Sequence, residues 1–310
     1  MYIDNECLKN YICGACNEKT IDGYKAFYRF TDEQIDYLRY DDFFYDRSKF
    51  SASICIRFTT EAERFGFSYK LAKVATKDSL DVFVDGALTY VNKVEKMAAE
   101  GTLSFALPKG KKEITAVFPI DCEVYIKNLY ADDVIDRPLN DKVKVLWLGD
   151  SITQGFGSLL GSQTFVNIVN RKMNYEWLNQ GWGGYRNDKL ILSADTGFAP
   201  DKIIVALGTN DYYFDSLEKD VEEYYERLLA IYNGLPIFAV TPLWRGGVDL
   251  NFFVRQIEKI KATISRIGKV KIIDGFTLVP HVSECFYDDL HPNAWGMQIY
   301  ADNLVEELNR

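Results

Sequence analysis

From Lys142 onward, short apolar runs alternate with longer amphipathic stretches, and this alternation limits what the chain can become. The runs lie at 143–148, 176–180, 202–207, 236–241 and 270–274. The first, at 143–148, is rich in Val and Leu, the pattern of a strand buried on both faces. Between and after the runs, helical spacing of apolar residues predicts helices near 163–174, 187–195, 217–233, 252–267 and 293–308. Strands separated by crossovers of this length form a parallel sheet. The expected fold class is α/β, a flavodoxin-like, doubly wound sheet of five strands over 142–310. In such sheets ligands bind beyond the carboxyl ends of the strands.

Residues 1–133 read differently. Runs at 24–30, 51–58, 65–71, 80–84, 88–94, 103–107, 113–118 and 123–129 are short and aromatic or β-branched, a strand signature. Asp85-Gly86 between two of them signals a tight hairpin, and Pro108-Lys109-Gly110 another turn. An all-β jelly-roll or sandwich domain is expected. Asp41-Asp42, before Phe43-Phe44-Tyr45, reads as a solvated turn beside a core strand. The polar, proline-bearing stretch from Ala131 to Asp141 reads as the connection. A short connection and 15% aromatic residues predict tight packing, with the β domain near the mouth of any site. The β domain shows no catalytic candidate, although its aromatic residues would suit a sugar-binding surface.

Composition excludes several functions. Net charge is −9 with no block of Lys and Arg, which argues against nucleic acid and anionic membranes as partners. No run of about 18 apolar residues predicts a membrane span. The start Met1-Tyr2-Ile3-Asp4-Asn5-Glu6-Cys7 lacks the basic and apolar regions of a leader, so a cytoplasmic protein with reduced thiols is expected. Cys13-Gly14-Ala15-Cys16 has the spacing of half a zinc site, but a second pair of ligands is missing and no metal is expected.

The residues that carry chemistry follow the expected strands. Gly149-Asp150-Ser151 closes the first, placing a serine hydroxyl at the sheet's carboxyl edge, though Ser and Asp are also common helix caps. Gly181, in Asn179-Gln180-Gly181-Trp182-Gly183-Gly184, follows the second, and Gly208-Thr209-Asn210-Asp211 the third. An Asn amide is able to donate to an oxyanion. Asp288-Asp289-Leu290-His291-Pro292 follows the last. The chain has two histidines, His281 and His291, so a serine hydrolase with a histidine base must use one of them. Asp288 lies one turn from His291, in reach to orient its ring.

Together, Gly149-Asp150-Ser151, Gly181, Gly208-x-Asn210-Asp211 and Asp288-x-x-His291-Pro292 resemble the blocks of the SGNH, or GDSL-type, hydrolase superfamily, in its order. The resemblance covers 143–308. It implies Ser151 as nucleophile, His291 as base and Asp288 as its orienting acid. It also implies an oxyanion hole from the N–H groups of Ser151 and Gly181 and the side chain of Asn210. Some relatives work with a Ser–His pair, so the contribution of Asp288 stays open. A β domain before an SGNH domain is similar in architecture to the second carbohydrate-esterase family, whose members deacetylate xylan and other sugars. The expected activity is hydrolysis of a short acyl, chiefly acetyl, ester of a small molecule or oligosaccharide, with no cofactor. Lysophospholipase or thioesterase activity, and sugar binding without catalysis, are the alternatives. Trp182 and Trp244 are candidates to stack on a sugar ring or to pack, and Trp295 is expected in the core.

Overall fold

The computed structural model describes residues 2–76, 78–136, 142–193 and 195–310. In chain order the first strands are β1 (Ile12–Cys13), β2 (Asn17–Ile21), β3 (Tyr24–Tyr28), β4 (Cys55–Thr60), β5 (Arg64–Val74), β6 (Ser79–Val84), β7 (Ala87–Lys93), β8 (Glu100–Ala106), β9 (Lys112–Val117), β10 (Cys122–Ala131) and β11 (Ile135–Asp136). They form two antiparallel sheets, ordered β1-β4-β9-β6-β7, with β11 on β4, and β2-β3-β10-β5-β8. The N-terminal unit is therefore all-β in its sheets. Alternation explains its core. Ile56, Phe58, Ile114 and Ala116 of one sheet meet Phe65, Phe67, Val124 and Ile126 of the other in one buried cluster. Asp85 and Gly86 both take positive φ, 49° and 78°, as the tight β6–β7 turn requires.

Two helices interrupt this unit. Asp41 accepts hydrogen bonds from the N–H groups of Phe43 and Phe44, and so caps α2 (Asp42–Ser48). The Asp41-Asp42 stretch is thus a helix start rather than a solvated turn. Just before it, Thr31 and Gln34 close a capping box on α1 (Asp32–Tyr37). The expected connection over 131–141 is partly strand, since β11 pairs with β4; residues 137–141 lie outside the described residues.

The second unit is a parallel sheet of β12 (Lys144–Gly149), β13 (Glu176–Gly181), β14 (Lys202–Ala206), β15 (Ile237–Val240) and β16 (Val270–Ile273), ordered β13-β12-β14-β15-β16. The second-first-third-fourth-fifth order is that of flavodoxin-like sheets. Its helices are α3 (Ser151–Gln154), α4 (Phe165–Met173), α5 (Leu217–Ile231), α6 (Leu250–Ile267) and α7 (Ala294–Leu308). The helix expected over 187–195 is a single 3-10 turn, Lys189–Ile191, with Ala194 outside the described residues. Its apolar residues pack as a loop, with Ile191 and Leu192 buried. Trp295 is 60% exposed on the first turn of α7, not in the core. No described helix is long and apolar enough to cross a membrane.

The two units share their cores. Cys55, Phe83 and Val117 from one β sheet join Val145, Trp147 and Phe165. Tyr24, Tyr28 and Tyr125 from the other join Leu178 and Trp182. Polar contacts follow the same seam: Trp177 Nε1 donates to the Ser53 carbonyl at 2.8 Å, and Gln34 Nε2 to the Ile191 carbonyl at 2.8 Å.

Candidate active site

The carboxyl ends of β12, β13 and β14 meet at the point where strand order reverses. Strand β12 ends at Gly149, and Asp150 caps α3 by accepting from the Ile152 N–H at 2.9 Å. Gly149 supplies room rather than a turn, because a Cβ there would lie 2.0 Å from Thr153 Oγ1. The single turn of α3 stops at Gly155, whose φ of 112° is left-handed. Ser151 is thereby held at the sheet edge, half-buried.

His291 reaches the same point from the segment between β16 and α7. Asp288 Oδ1 accepts from the backbone N–H groups of Leu290 and His291 at 2.8 and 2.7 Å. The same carboxylate takes the ring: His291 Nδ1 lies 2.8 Å from Asp288 Oδ2, while Nε2 lies 2.8 Å from Ser151 Oγ. The structure thus brings Ser151, His291 and Asp288 into one relay. Partial burial pushes the Asp288 carboxyl up. The N–H groups of His291, the ring and the Leu290 N–H outweigh burial and hold it below the ordinary carboxylate value. The Phe156 ring packs edge-on against the imidazole, centroids 4.6 Å apart. His281 lies elsewhere, with Nε2 at the Phe276 carbonyl and its ring stacked on Trp244.

A cavity of about 240 Å³ opens on this relay. Asn210, Gln154, Gly183, Gly184, Phe156 and Leu290 line it together with Ser151 and His291. Asn210 Nδ2 donates one hydrogen to the Tyr185 carbonyl at 2.9 Å, which fixes the amide and leaves its second N–H.

Gly181 does not join this group. It is still strand, in register with Gly149, and its N–H donates to Asn179 Oδ1 at 2.9 Å. Of the two glycines in the cavity, Gly183 gives its N–H to Gln154, whereas the Gly184 N–H makes no hydrogen bond among the described residues and its φ is 81°. A block with three glycines does not reveal where its strand ends, and the strand runs through Gly181, whose N–H is already bonded.

Neither tryptophan candidate faces the cavity. Trp182 is 3% exposed, stacked on Tyr185 with centroids 3.9 Å apart. Trp244 packs against His281 and Phe286. Both serve packing.

The β unit, expected near the mouth of the site, contributes a wall from residues that the sequence did not mark. Phe43 and Arg47 of α2 and Asp121 line the cavity. Gln154 links that wall to the glycine loop: its Oε1 accepts from the Gly183 N–H at 2.7 Å, and its Nε2 donates to Asp121 Oδ1. Thr76 Oγ1 holds the other Asp121 oxygen at 2.6 Å. Burial pushes the Asp121 carboxyl up. Beneath the site, burial also raises Asp150 to about 7 and Asp211 to about 6. Among the described residues there is no group of three or more His, Cys, Asp or Glu side chains arranged to hold a metal ion.

The chain is similar to several known proteins. Residues 147–299 match the GDSL-like Lipase/Acylhydrolase family. An acetylxylan esterase of Xylanibacter ruminicola is 25% identical over 221 residues, 56% of this chain and 45% of that protein. The match therefore spans less than half of that relative's length. Likeness of fold extends further. The salicylyl-acyltransferase SsfX3 of a tetracycline biosynthetic pathway aligns with a TM-score of 0.79 at 19% identity, over 96% of this chain and 93% of its own. A family two carbohydrate esterase from Clostridium thermocellum, in complex with cellohexaose, aligns with a TM-score of 0.68 at 17% identity, over 83% and 92%. An acetyl xylan esterase, Est2A, from the rumen bacterium Butyrivibrio proteoclasticus aligns at 0.62 with 17% identity, over 84% and 90%.

Proposed function

We propose that the protein is a serine esterase that removes short acyl groups, chiefly acetyl, from a carbohydrate. The observation that carries this reading is the Ser151–His291–Asp288 relay, with 2.8 Å from hydroxyl to ring and 2.8 Å from ring to carboxylate. Such contacts suit proton transfer from nucleophile to base.

In this reaction Ser151 Oγ attacks the ester carbonyl carbon and His291 Nε2 takes its proton. Asp288 holds Nδ1 protonated and stabilises the imidazolium. Negative charge develops on the carbonyl oxygen and is met by the N–H of Ser151, the N–H of Gly184 and the free amide N–H of Asn210. One such donor is typically worth roughly 3 kcal/mol. The tetrahedral intermediate then collapses, His291 returns the proton to the leaving alcohol, and an acyl-Ser151 remains. Water, deprotonated by His291, hydrolyses it. Every proton is carried by the chain's own residues.

Cavity size supports the short acyl group. About 240 Å³ bounded by Phe43, Phe156 and Leu290 suits an acetyl group and part of a sugar ring better than a long acyl chain. The carbohydrate is supported by analogy with the esterases of similar fold. The same reading divides the chain into a β-sandwich unit of 1–133 and a catalytic unit of 142–310 that work as one body.

A series of p-nitrophenyl esters from acetate to decanoate tests the reading. Acetate should give the highest kcat/KM, falling as the chain lengthens. A preference for long chains would make the protein a lipase or thioesterase, and no turnover a binding protein.

A further inference from the structure

The catalytic cavity contains one cationic side chain that the esterase mechanism does not use, Arg47. It comes from α2 of the β unit, one helical turn after Phe43, and its guanidinium carbon lies 3.4 Å from the centroid of the Phe43 ring. Gly183 makes room for it, since a Cβ there would stand 2.8 Å from Arg47 Nε. Its backbone is anchored too, the Arg47 carbonyl accepting from Arg29 Nη2 at 3.1 Å.

What the guanidinium lacks is an acceptor. Among the described residues its donors make no hydrogen bond and no ion pair within 4.0 Å. Asp121, the nearest carboxyl in the cavity, has one oxygen held by Gln154 and the other by Thr76. The guanidinium carbon sits over the Phe43 ring, so the donors are held in the cavity with no protein acceptor among the described residues. A half-buried arginine held on an aromatic ring, in the cavity that Ser151 also lines, is preorganised for a planar anion.

We propose that Arg47 is the anion-binding residue of the cavity and that the preferred ester carries a carboxylate within its reach, as an O-acetylated uronic acid does. The proposal rests on the esterase reading and deepens it by naming the substrate class. Arg47 takes no part in bond making; it orients the ester by pairing with a group the reaction leaves unchanged.

The test is a ratio, which is insensitive to how much of a variant folds. kcat/KM is measured on O-acetyl galacturonic acid and on its neutral twin, O-acetyl galactose. The wild type should favour the uronate by about tenfold or more, the value of a hydrogen-bonded charge pair. Arg47→Gln should bring the ratio near one, and Arg47→Lys should keep part of the preference. p-Nitrophenyl hemisuccinate against p-nitrophenyl butyrate tests a carboxylate on the acyl side in the same way. A wild-type ratio near one in both pairs overturns the proposal, as does a ratio that Arg47→Gln leaves unchanged. If the wild type cleaves neither sugar ester, it is the esterase reading that fails. Arg47 is then judged by calorimetric binding of galacturonate and galactose to Ser151→Ala. The same tenfold preference, lost with Arg47→Gln, would support it, and equal binding would overturn it.

Discussion

Replacing Arg29 by Met would show whether the β unit merely adjoins the site or holds it in shape. Arg29 is fully buried, and its guanidinium joins four backbone carbonyls from two places. Nε donates to Phe50 at 2.8 Å and Nη2 to Arg47 at 3.1 Å, at the end of α2. Nη1 donates to Asn179 at 2.8 Å and to Gly181, at the end of β13. Burial lowers its basicity, with the charge of Asp121 opposing that shift. Methionine fills similar space and removes every donor. Four acceptors lose their partner, each costing about 1–3 kcal/mol if left dry, while relief of a buried charge and entry of water offset part of the sum. A net loss of about 3–5 kcal/mol is expected, a large share of the ~5–15 kcal/mol typical of a folded protein. The same bonds set the entry to Gly183-Gly184, so kcat should fall roughly tenfold or more, as small misplacement of catalytic donors does. Urea unfolding and p-nitrophenyl acetate turnover at a temperature where both proteins are folded measure the two effects. A stability loss below about 1 kcal/mol would refute the energetic argument. A large loss with unchanged kcat would show that Arg29 holds the fold together but does not position the loop.

Among the remaining expectations, His291→Ala should lower kcat by roughly 10³ or more while His281→Ala retains most activity, with Asp288→Ala between them; steady-state kinetics decides, and a dead His281 variant would overturn the assignment of the base. Asn210→Ala should cost roughly 10²–10³ in kcat at similar KM, and a change confined to KM would make Asn210 a ground-state binding residue instead. Asp78 predicts a pH effect on stability. Burial raises its carboxyl to about 8, so the folded state keeps a proton that the unfolded chain releases near 4. The stability it contributes is present below about 4 and lost as pH rises toward 8. Asp78→Asn, which mimics the protonated form, should reduce that pH dependence in urea titrations at pH 5, 7 and 9; parallel curves for the two proteins would contradict it.

The α/β half was legible because β12, β14 and β15 are largely apolar runs and Ser151 and Asn210 follow two of them closely. Ser151, Asn210, Asp288 and His291 converge in space because strand order and direction carry every strand end to one edge. Three features resisted reading for identifiable reasons. The free glycine of the second block depends on how far β13 extends, and backbone pairing of Gly181 with Gly149 decides that. Trp182 and Trp244 offered rings suited to a sugar, yet burial of a ring is settled by neighbours distant in sequence, Phe30 and Phe44 for the first and His281 for the second. Helix α2 was hidden by aromatic residues that favour strands. Its signal was the carboxylate of Asp41 ahead of the helix, as the signal of α1 was Thr31 three residues before Gln34.

The wall built by α2 separates two kinds of heredity within one cavity. The proposed reaction rests on the segments around Ser151, Gly184, Asn210 and His291, all in the α/β unit. The opposite face of the cavity is built more than a hundred positions upstream, by Phe43 and Arg47 on a short helix of the β unit. Two chains that agree in every block can then act on different esters, and a change of diet in such an enzyme need begin with no more than one turn of helix.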